Sequence, residues 1–248
     1  MTTDSIEAAE RLASEKLAHT REAMGRAARL TGRTADDITL IAISKTQGPD
    51  AIRLLIKAGQ RVFGENRVQE AESKWPALRE EHPDLELHLV GQLQSNKAAD
   101  AVALFDVIHS LDRPSLLTAL ARAMDVAGKR VPCFLQVNIG AEPQKGGCPI
   151  ADVPALIRSA RDADIPLLGL MCVPPAEVEP APFFALLAKM AREEGLERLS
   201  MGMSGDYETA IMLGATDIRV GTALFGERPA ARPAPRSGRG MIRNSRAG

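Results

Sequence analysis

Cysteine is scarce in this chain, at three in 248 residues, and Cys133, Cys148 and Cys172 are odd in number and far apart. That argues against a disulfide framework and fits a reducing cytosol, and with no CxxC pair a redox motif has no support. Long apolar runs are missing as well. None approaches the roughly 20 residues that a membrane-spanning helix needs. The first residues include Asp4, Glu7, Glu10 and Glu15, which excludes a secretory signal and argues against an acidic-poor transit peptide. The four histidines, His19, His82, His88 and His109, show no HExxH or similar spacing, so no metal site is expected. His88 and His109 fall in strand-like runs and read as satisfied core or rim histidines. There is no GxGxxG and no GxxxxGK[ST], so dinucleotide and nucleoside triphosphate binding are unsupported. The expectation is a soluble cytoplasmic protein.

What is present is an ordinary globular composition, 45% hydrophobic, on a chain long enough for one large α/β domain or two smaller ones. Net charge is −1 but unevenly spread, because residues 227 to 248 hold six arginines against one glutamate. The body is mildly acidic and the tail basic. From Pro229 onward the chain is mainly Ala, Pro, Arg, Gly and Ser, so 228–248 reads as a disordered tail. It has no aromatic residue to stack on a base, and no nucleic-acid partner is expected.

Along the body, Ile6, Ala9, Ala13, Leu17, Thr20, Met24 and Ala27 form a helical stripe ending near Gly32. Strand-like runs follow at 39–44, 61–65, 86–91, 106–110, 133–139, 167–173, 198–203 and 217–221. Helix signals alternate with them: Ile52, Leu55 and Ile56 before Gly59, Pro114 opening a helix that stops at Gly128, Asp152 or Pro154 opening one to about Ala163, and Phe184, Leu187 and Met190 before Gly195. Such β-then-α alternation predicts a parallel (β/α)8 TIM-type barrel over residues 1–227, with an extra N-terminal helix. Periodicity alone leaves a doubly wound open sheet as the alternative. No long coiled-coil pattern is present, and a monomer is expected.

A barrel gathers the C-terminal ends of its strands on one face, where ligands bind. Lys45 ends the apolar run Ile38-Thr39-Leu40-Ile41-Ala42-Ile43-Ser44-Lys45, just before the breakers Thr46-Gln47-Gly48-Pro49. An amine desolvated there is able to attack a carbonyl as a Schiff-base lysine, although most strand-end lysines are solvated caps or ion-pair partners. The same face collects Glu65 and Asn66, Gln92 to Lys97, Asn138, Ser200 to Ser204, and Arg219 to Thr222. In the last two groups, glycines, the hydroxyls of Ser200 and Thr222, and two helix starts suggest a phosphate site, with Ser204 placed to cap the helix carrying Ala210, Ile211 and Leu213. A phosphate site and a reactive lysine on one face together suggest pyridoxal 5′-phosphate. Arg219, a permanent hydrogen-bond donor, would then keep the pyridine nitrogen unprotonated and the cofactor a poor electron sink. Its bland alternative is an ion pair with Asp217 or Glu65.

Several stretches resemble the pyridoxal phosphate homeostasis protein family, relatives of the N-terminal barrel of alanine racemase that lack its second domain. They are Ala42-Ile43-Ser44-Lys45-Thr46, Phe63-Gly64-Glu65-Asn66, His88-Leu89-Val90-Gly91-Gln92-Leu93-Gln94-Ser95-Asn96-Lys97, Leu170-Met171, Leu199-Ser200-Met201-Gly202-Met203-Ser204 and Arg219-Val220-Gly221-Thr222-Ala223-Leu224-Phe225-Gly226. The resemblance implies that Lys45 forms a Schiff base with pyridoxal 5′-phosphate, and that Ser200, Gly221 and Thr222 hold the phosphate. It further implies that Asn66 borders the cofactor and Arg219 faces its ring nitrogen, with Ser204 a lesser contributor. The implied function is storage, delivery or buffering of the cofactor without catalytic turnover, with apo-enzymes that need it as possible partners. An amino-acid racemase is the alternative, but it needs a second acid/base group, and Tyr207 is the only tyrosine. A lysine-dependent aldolase is a third reading. The chain departs from the family pattern at Arg67, where an aromatic is common, at Gly205, and in the tail after Arg228.

Overall fold

Short aliphatic runs that alternate with amphipathic segments bury themselves most economically as a closed parallel sheet inside a ring of helices, since closure leaves no strand edge unpaired. The computed structural model describes residues 3–226 and shows this arrangement. Strands β1 (Thr39–Ile43), β2 (Val62–Glu65), β3 (Glu86–Leu89), β4 (Val107–Leu111), β5 (Cys133–Val137), β6 (Leu167–Cys172), β7 (Arg198–Met203) and β8 (Asp217–Val220) pair in chain order, and β8 closes on β1. Every expected strand is present. The open-sheet alternative is thereby excluded. The expected tail, 228–248, lies outside the described residues.

Helix α1 (Thr3–Arg29) precedes the barrel. Helices α2 (Pro49–Lys57), α3 (Val68–Glu81), α4 (Ala98–Leu104), α5 (Pro114–Ala127), α6 (Val153–Asp162), α7 (Ala181–Glu193) and α8 (Tyr207–Met212) follow β1 to β7 in turn, and the short α9 (Thr222–Phe225) follows β8. Proline opens α2 and α5 at their first turns, where its missing N–H costs nothing, and α5 ends on Gly128 in the left-handed region (φ 61°). Helix α1 packs on α2, α8 and α9 through Leu17, Ala23, Met24, Ala27 and Ala28. Its predicted stripe is buried only from Ala13 onward, and Ile6 is 43% exposed. At about 1.5 Å per residue, this helix outreaches the short helices it packs against.

Two apolar regions result. One lies between strands and helices and includes Ile52, Trp75, Phe105, Leu120 and Phe184; the other is a small group inside the barrel, Val107, Phe134 and Met171. Strand alternation sorts residues between them. In β7 and β8, Leu199, Met201, Ile218 and Val220 join the outer region, while Arg198, Ser200, Asp217 and Arg219 make polar contacts within the barrel. Strand β6 approaches β7 so closely at Gly169 that a Cβ there would sit 1.7 Å from the Arg198 carbonyl oxygen. Gly169→Ala should therefore destabilise the fold by about 1–3 kcal/mol, lowering the thermal midpoint by roughly 5 °C. An unchanged midpoint would show that the β6–β7 spacing yields freely.

Candidate functional site

Lys45 leaves the barrel at the end of β1, and the turn that carries it is braced from behind. Glu65, the last residue of β2, is completely buried. Its Oε1 accepts hydrogen bonds from Ser44 Oγ (2.6 Å) and Trp75 Nε1 (3.0 Å) and pairs with Lys74 Nζ at 2.8 Å. Lys74 Nζ in turn donates to the carbonyls of Ser44 (2.9 Å) and Gln47 (3.2 Å) and meets Glu70 Oε1 at 3.0 Å. Glu70 also accepts the Thr46 backbone N–H. Although burial works against it, contact with Lys74 and Thr46 holds the Glu70 carboxyl below its ordinary pKa. Thr46 itself is β-branched with φ 65°, a conformation costing roughly 1–3 kcal/mol that persists only where surroundings impose it. The Glu65, Glu70 and Lys74 brace was not read from the sequence. Its one legible trace is the Glu70–Lys74 spacing of four on a helix.

The neighbouring strand end brings the other candidates together. Register places Ile41 beside Arg219 and Ala42 beside Val220, so Lys45 and the Gly221-Thr222 turn leave adjoining strands. Arg219 is 5% exposed. Its Nη1 donates to Ser200 Oγ (2.6 Å) and its Nη2 to the Cys172 carbonyl (2.8 Å). The bland alternative of an ion pair fails, because Asp217 pairs with Arg198 and Glu65 with Lys74. Among the described residues, no carboxylate lies within ion-pair reach of Arg219. Burial pulls its pKa down from the ordinary arginine value, with Cys172, Asp206 and Asp217 offsetting in part.

Two hydroxyls sit differently from expectation. Ser200 is fully buried, with its Oγ between Arg219 and His109, so the group expected at a phosphate is committed inside the barrel. Ser204 does not cap α8, whose N-cap is Asp206. Instead, its Oγ accepts the backbone N–H groups of Gly221 (3.3 Å) and Ala223 (3.5 Å). Thr222 is exposed as the first residue of α9. Gly202, one of the glycines counted toward the phosphate site, has φ +95° and would place a Cβ 2.7 Å from that of Ala210; it serves the close packing of α8.

Asn66 follows β2, half-buried, with Gly91 against its backbone. Arg67 is exposed and borders a cleft of about 380 Å³ shared with Gln92 and Lys97. Asn138 is occupied within its own loop, bonded to both the N–H and the carbonyl of Glu142. All three cysteines are buried free thiols, pushed up to about 12 by burial. His88 and His109 are buried and meet each other at 2.9 Å.

Two outcomes follow from this packing. Glu65→Ala leaves Lys74 buried beside a lost partner and should cost about 3 kcal/mol in urea unfolding; a loss below about 1 kcal/mol would mean that Glu70 alone suffices. His109 has its pKa held well below 6.5 by burial first, then by His88, Arg219 and Arg198. The unfolded chain takes up a proton near 6.5 that the folded protein refuses, so stability should fall as pH drops from 7 towards 5. Thermal melts across that range should show a shallower fall for His109→Phe; equal slopes would refute the assignment.

Residues 16–229 match the family model described as alanine racemase, N-terminal domain. Over 226 residues the chain is 37% identical to the pyridoxal phosphate homeostasis protein of Aquifex aeolicus, covering 87% of this chain and 98% of that one. Over 227 residues it is 38% identical to the protein of the same name from Pseudomonas aeruginosa, covering 89% and 98%. The structure of PipY from Synechococcus elongatus with pyridoxal phosphate bound superposes with a TM-score of 0.73 at 39% identity, over 86% of this chain and all of that one. Identity of this breadth, on a barrel whose adjoining strands β1 and β8 end at Lys45 and at the Gly221-Thr222 turn, places the chain in the alanine racemase N-terminal domain family, among the pyridoxal phosphate homeostasis proteins.

Proposed function

We propose that this chain binds pyridoxal 5′-phosphate at the barrel mouth and serves homeostasis of the cofactor, by storage, delivery or buffering, without catalytic turnover. The observation that carries the reading is the adjacency of β1 and β8, which brings the strand end that carries Lys45 alongside the strand that carries Arg219, a buried guanidinium with no carboxylate in ion-pair reach among the described residues, and the turn of backbone donors at Gly221 and Ala223. Those donors already converge on one oxygen, the Ser204 hydroxyl. The residues present therefore suit a phosphorylated aldehyde with a ring nitrogen. When bound, the cofactor supplies an aldehyde that a primary amine captures reversibly.

In this reading Lys45 supplies the amine and the Glu65–Lys74 brace aims it. Gly221 and Thr222, with Ser204, hold the phosphate, and Asn66 borders the ring. Arg219 faces the ring nitrogen and, having only donors, leaves it unprotonated. Ser200 acts on Arg219 and not on the phosphate. The relatives' names and the bound cofactor in PipY support the reading. Against racemase chemistry, Tyr207 is 7% exposed and packed in the apolar region around α8, and burial raises its pKa. That phenol is not placed to serve as the second acid/base. The three unpaired cysteines support a cytoplasmic setting. Apo-enzymes that need the cofactor are the partners this role calls for, with the protein acting as a monomer.

An absorbance scan from near-ultraviolet to visible, repeated after borohydride reduction with mass mapping, should find the label on Lys45. Lys45→Ala should lose the covalent adduct and keep a residual, phosphate-dependent affinity. An adduct that survives in Lys45→Ala would overturn the assignment, and steady production of a D-amino acid would overturn the non-catalytic role.

A further inference from the structure

Arg219 stands at the upper end of a row of hydrogen-bonding side chains that descends through the barrel. Its Nη1 donates to Ser200 Oγ at 2.6 Å, and that hydroxyl lies 2.8 Å from His109 Nδ1. His109 Nε2 is 2.9 Å from His88 Nδ1, and His88 Nε2 is 2.8 Å from Glu86 Oε1. Ser200 and His109 belong to β7 and β4, which do not pair, so their bond crosses the interior. Ser200, His109 and His88 are fully buried. Glu86, the first residue of β3, has a side chain 48% exposed at the end of the barrel away from the mouth.

The two ends dictate the sense of every bond. A guanidinium only donates, so the Ser200 oxygen accepts from Arg219, and the hydroxyl proton has His109 Nδ1 as its acceptor. Nδ1 then carries a lone pair, and the His109 proton is on Nε2, pointing at His88 Nδ1. His88 is left with its own proton on Nε2, pointing at Glu86. A carboxylate only accepts, and starting from Glu86 gives the same sequence of donors. Reversing any link would strand the Ser200 proton in a site closed to water, at a cost of about 1–3 kcal/mol. The row is thus a one-way chain of neutral imidazoles between a buried cation and a remote, half-exposed anion. Bonds in such a chain polarise one another.

We propose that Ser200, His109 and His88 are positioning residues for Arg219: the chain holds Ser200 as an acceptor, clamps the guanidinium with its remaining N–H groups toward the mouth, and supports its charge from Glu86 without placing a carboxylate beside it. This rests on the pyridoxal phosphate reading above. A carboxylate in direct contact would take the donors that a ring nitrogen requires. The chain supplies compensation at a distance and leaves them available. The Cys172 carbonyl fixes the second edge of the guanidinium.

The first measurement is nitrogen-15 histidine spectroscopy of the ligand-free full chain at neutral pH. Both His88 and His109 should be neutral with the proton on Nε2. With pyridoxal 5′-phosphate added, His109→Phe, which keeps a ring against Phe134 but removes both nitrogens, should retain the cofactor about fivefold less tightly. It should also shift the absorbance maximum of the bound cofactor while borohydride still fixes the label on Lys45. His109→Gln, with one acceptor and one donor, should recover most of both properties. Ser200→Ala is a smaller change with the same expectations, so a poorly folded His109→Phe does not decide the matter. An Nδ1 proton on either histidine, or wild-type spectrum and retention in both Ser200→Ala and His109→Phe, would overturn the positioning role alone. Wild-type protein that takes up no cofactor would overturn the reading beneath it, and the tautomer result would still stand as a separate finding.

Discussion

The pairing of β8 with β1 is the contact on which the rest of this molecule depends. It removes the last two strand edges, and in the same step it makes neighbours of residues nearly the whole described chain apart. Lys45 and the Gly221-Thr222 turn share a mouth because of it. Without closure there would be an amine at one edge, a cluster of backbone donors at the other, and no site. The N-terminal helix reinforces the join, since α1 packs on both α2, which follows β1, and α8 and α9, which flank β8.

Closure also creates an interior that the chain fills in an unusual way. Barrels of this kind are generally packed with branched apolar side chains, yet here Arg198, Asp217, His88, His109, Ser200 and Arg219 share that space with a small apolar group around Phe134. Buried polar groups are tolerable only when each finds a partner. Arg198 and Asp217 form an ion pair near the lower end, with the guanidinium 5.6 Å from the Phe134 ring centre. His109 stacks on the same ring at 4.4 Å. Arg219 is the exception, satisfied by neutral acceptors with no carboxylate in ion-pair reach among the described residues, and it lies below the mouth. An incompletely compensated cation at the end of a well-satisfied network is what a binding site asks of its scaffold.

Outside the barrel, the brace behind Lys45 fixes the backbone that carries this side chain through residues packed beneath the turn. Glu65 and Lys74 occupy the strand–helix layer, where Trp75 and Phe63 pack at 5.3 Å between ring centres. Their hydrogen bonds go to the backbone and hydroxyl of Ser44, one residue before the lysine. The strained Thr46 conformation is held on the other side by Glu70. The turn that carries Lys45 is therefore anchored in the apolar packing beneath it.

Much of this was legible in the chain itself. Strand period, proline at helix starts and glycine at helix ends set out the alternation of strands and helices, because those signals act over a few residues and need no tertiary partner. Lys45, Arg219 and the Gly221-Thr222 turn were readable for the same reason, each being a residue type at a strand end. What the sequence could not reveal was where side chains pointed once the sheet curved. Ser200 read as a phosphate ligand because it lies in a glycine-rich stretch, but strand alternation aimed it into the barrel; Ser204 read as a helix cap, and the turn after β8 claimed it instead. The partners of Glu65, and the row from Glu86 to Arg219, join residues from different strands and helices. Local sequence determined the elements and the chemistry available at their ends, while only barrel closure and its register, which are set by packing over the whole chain, decided which of those groups met.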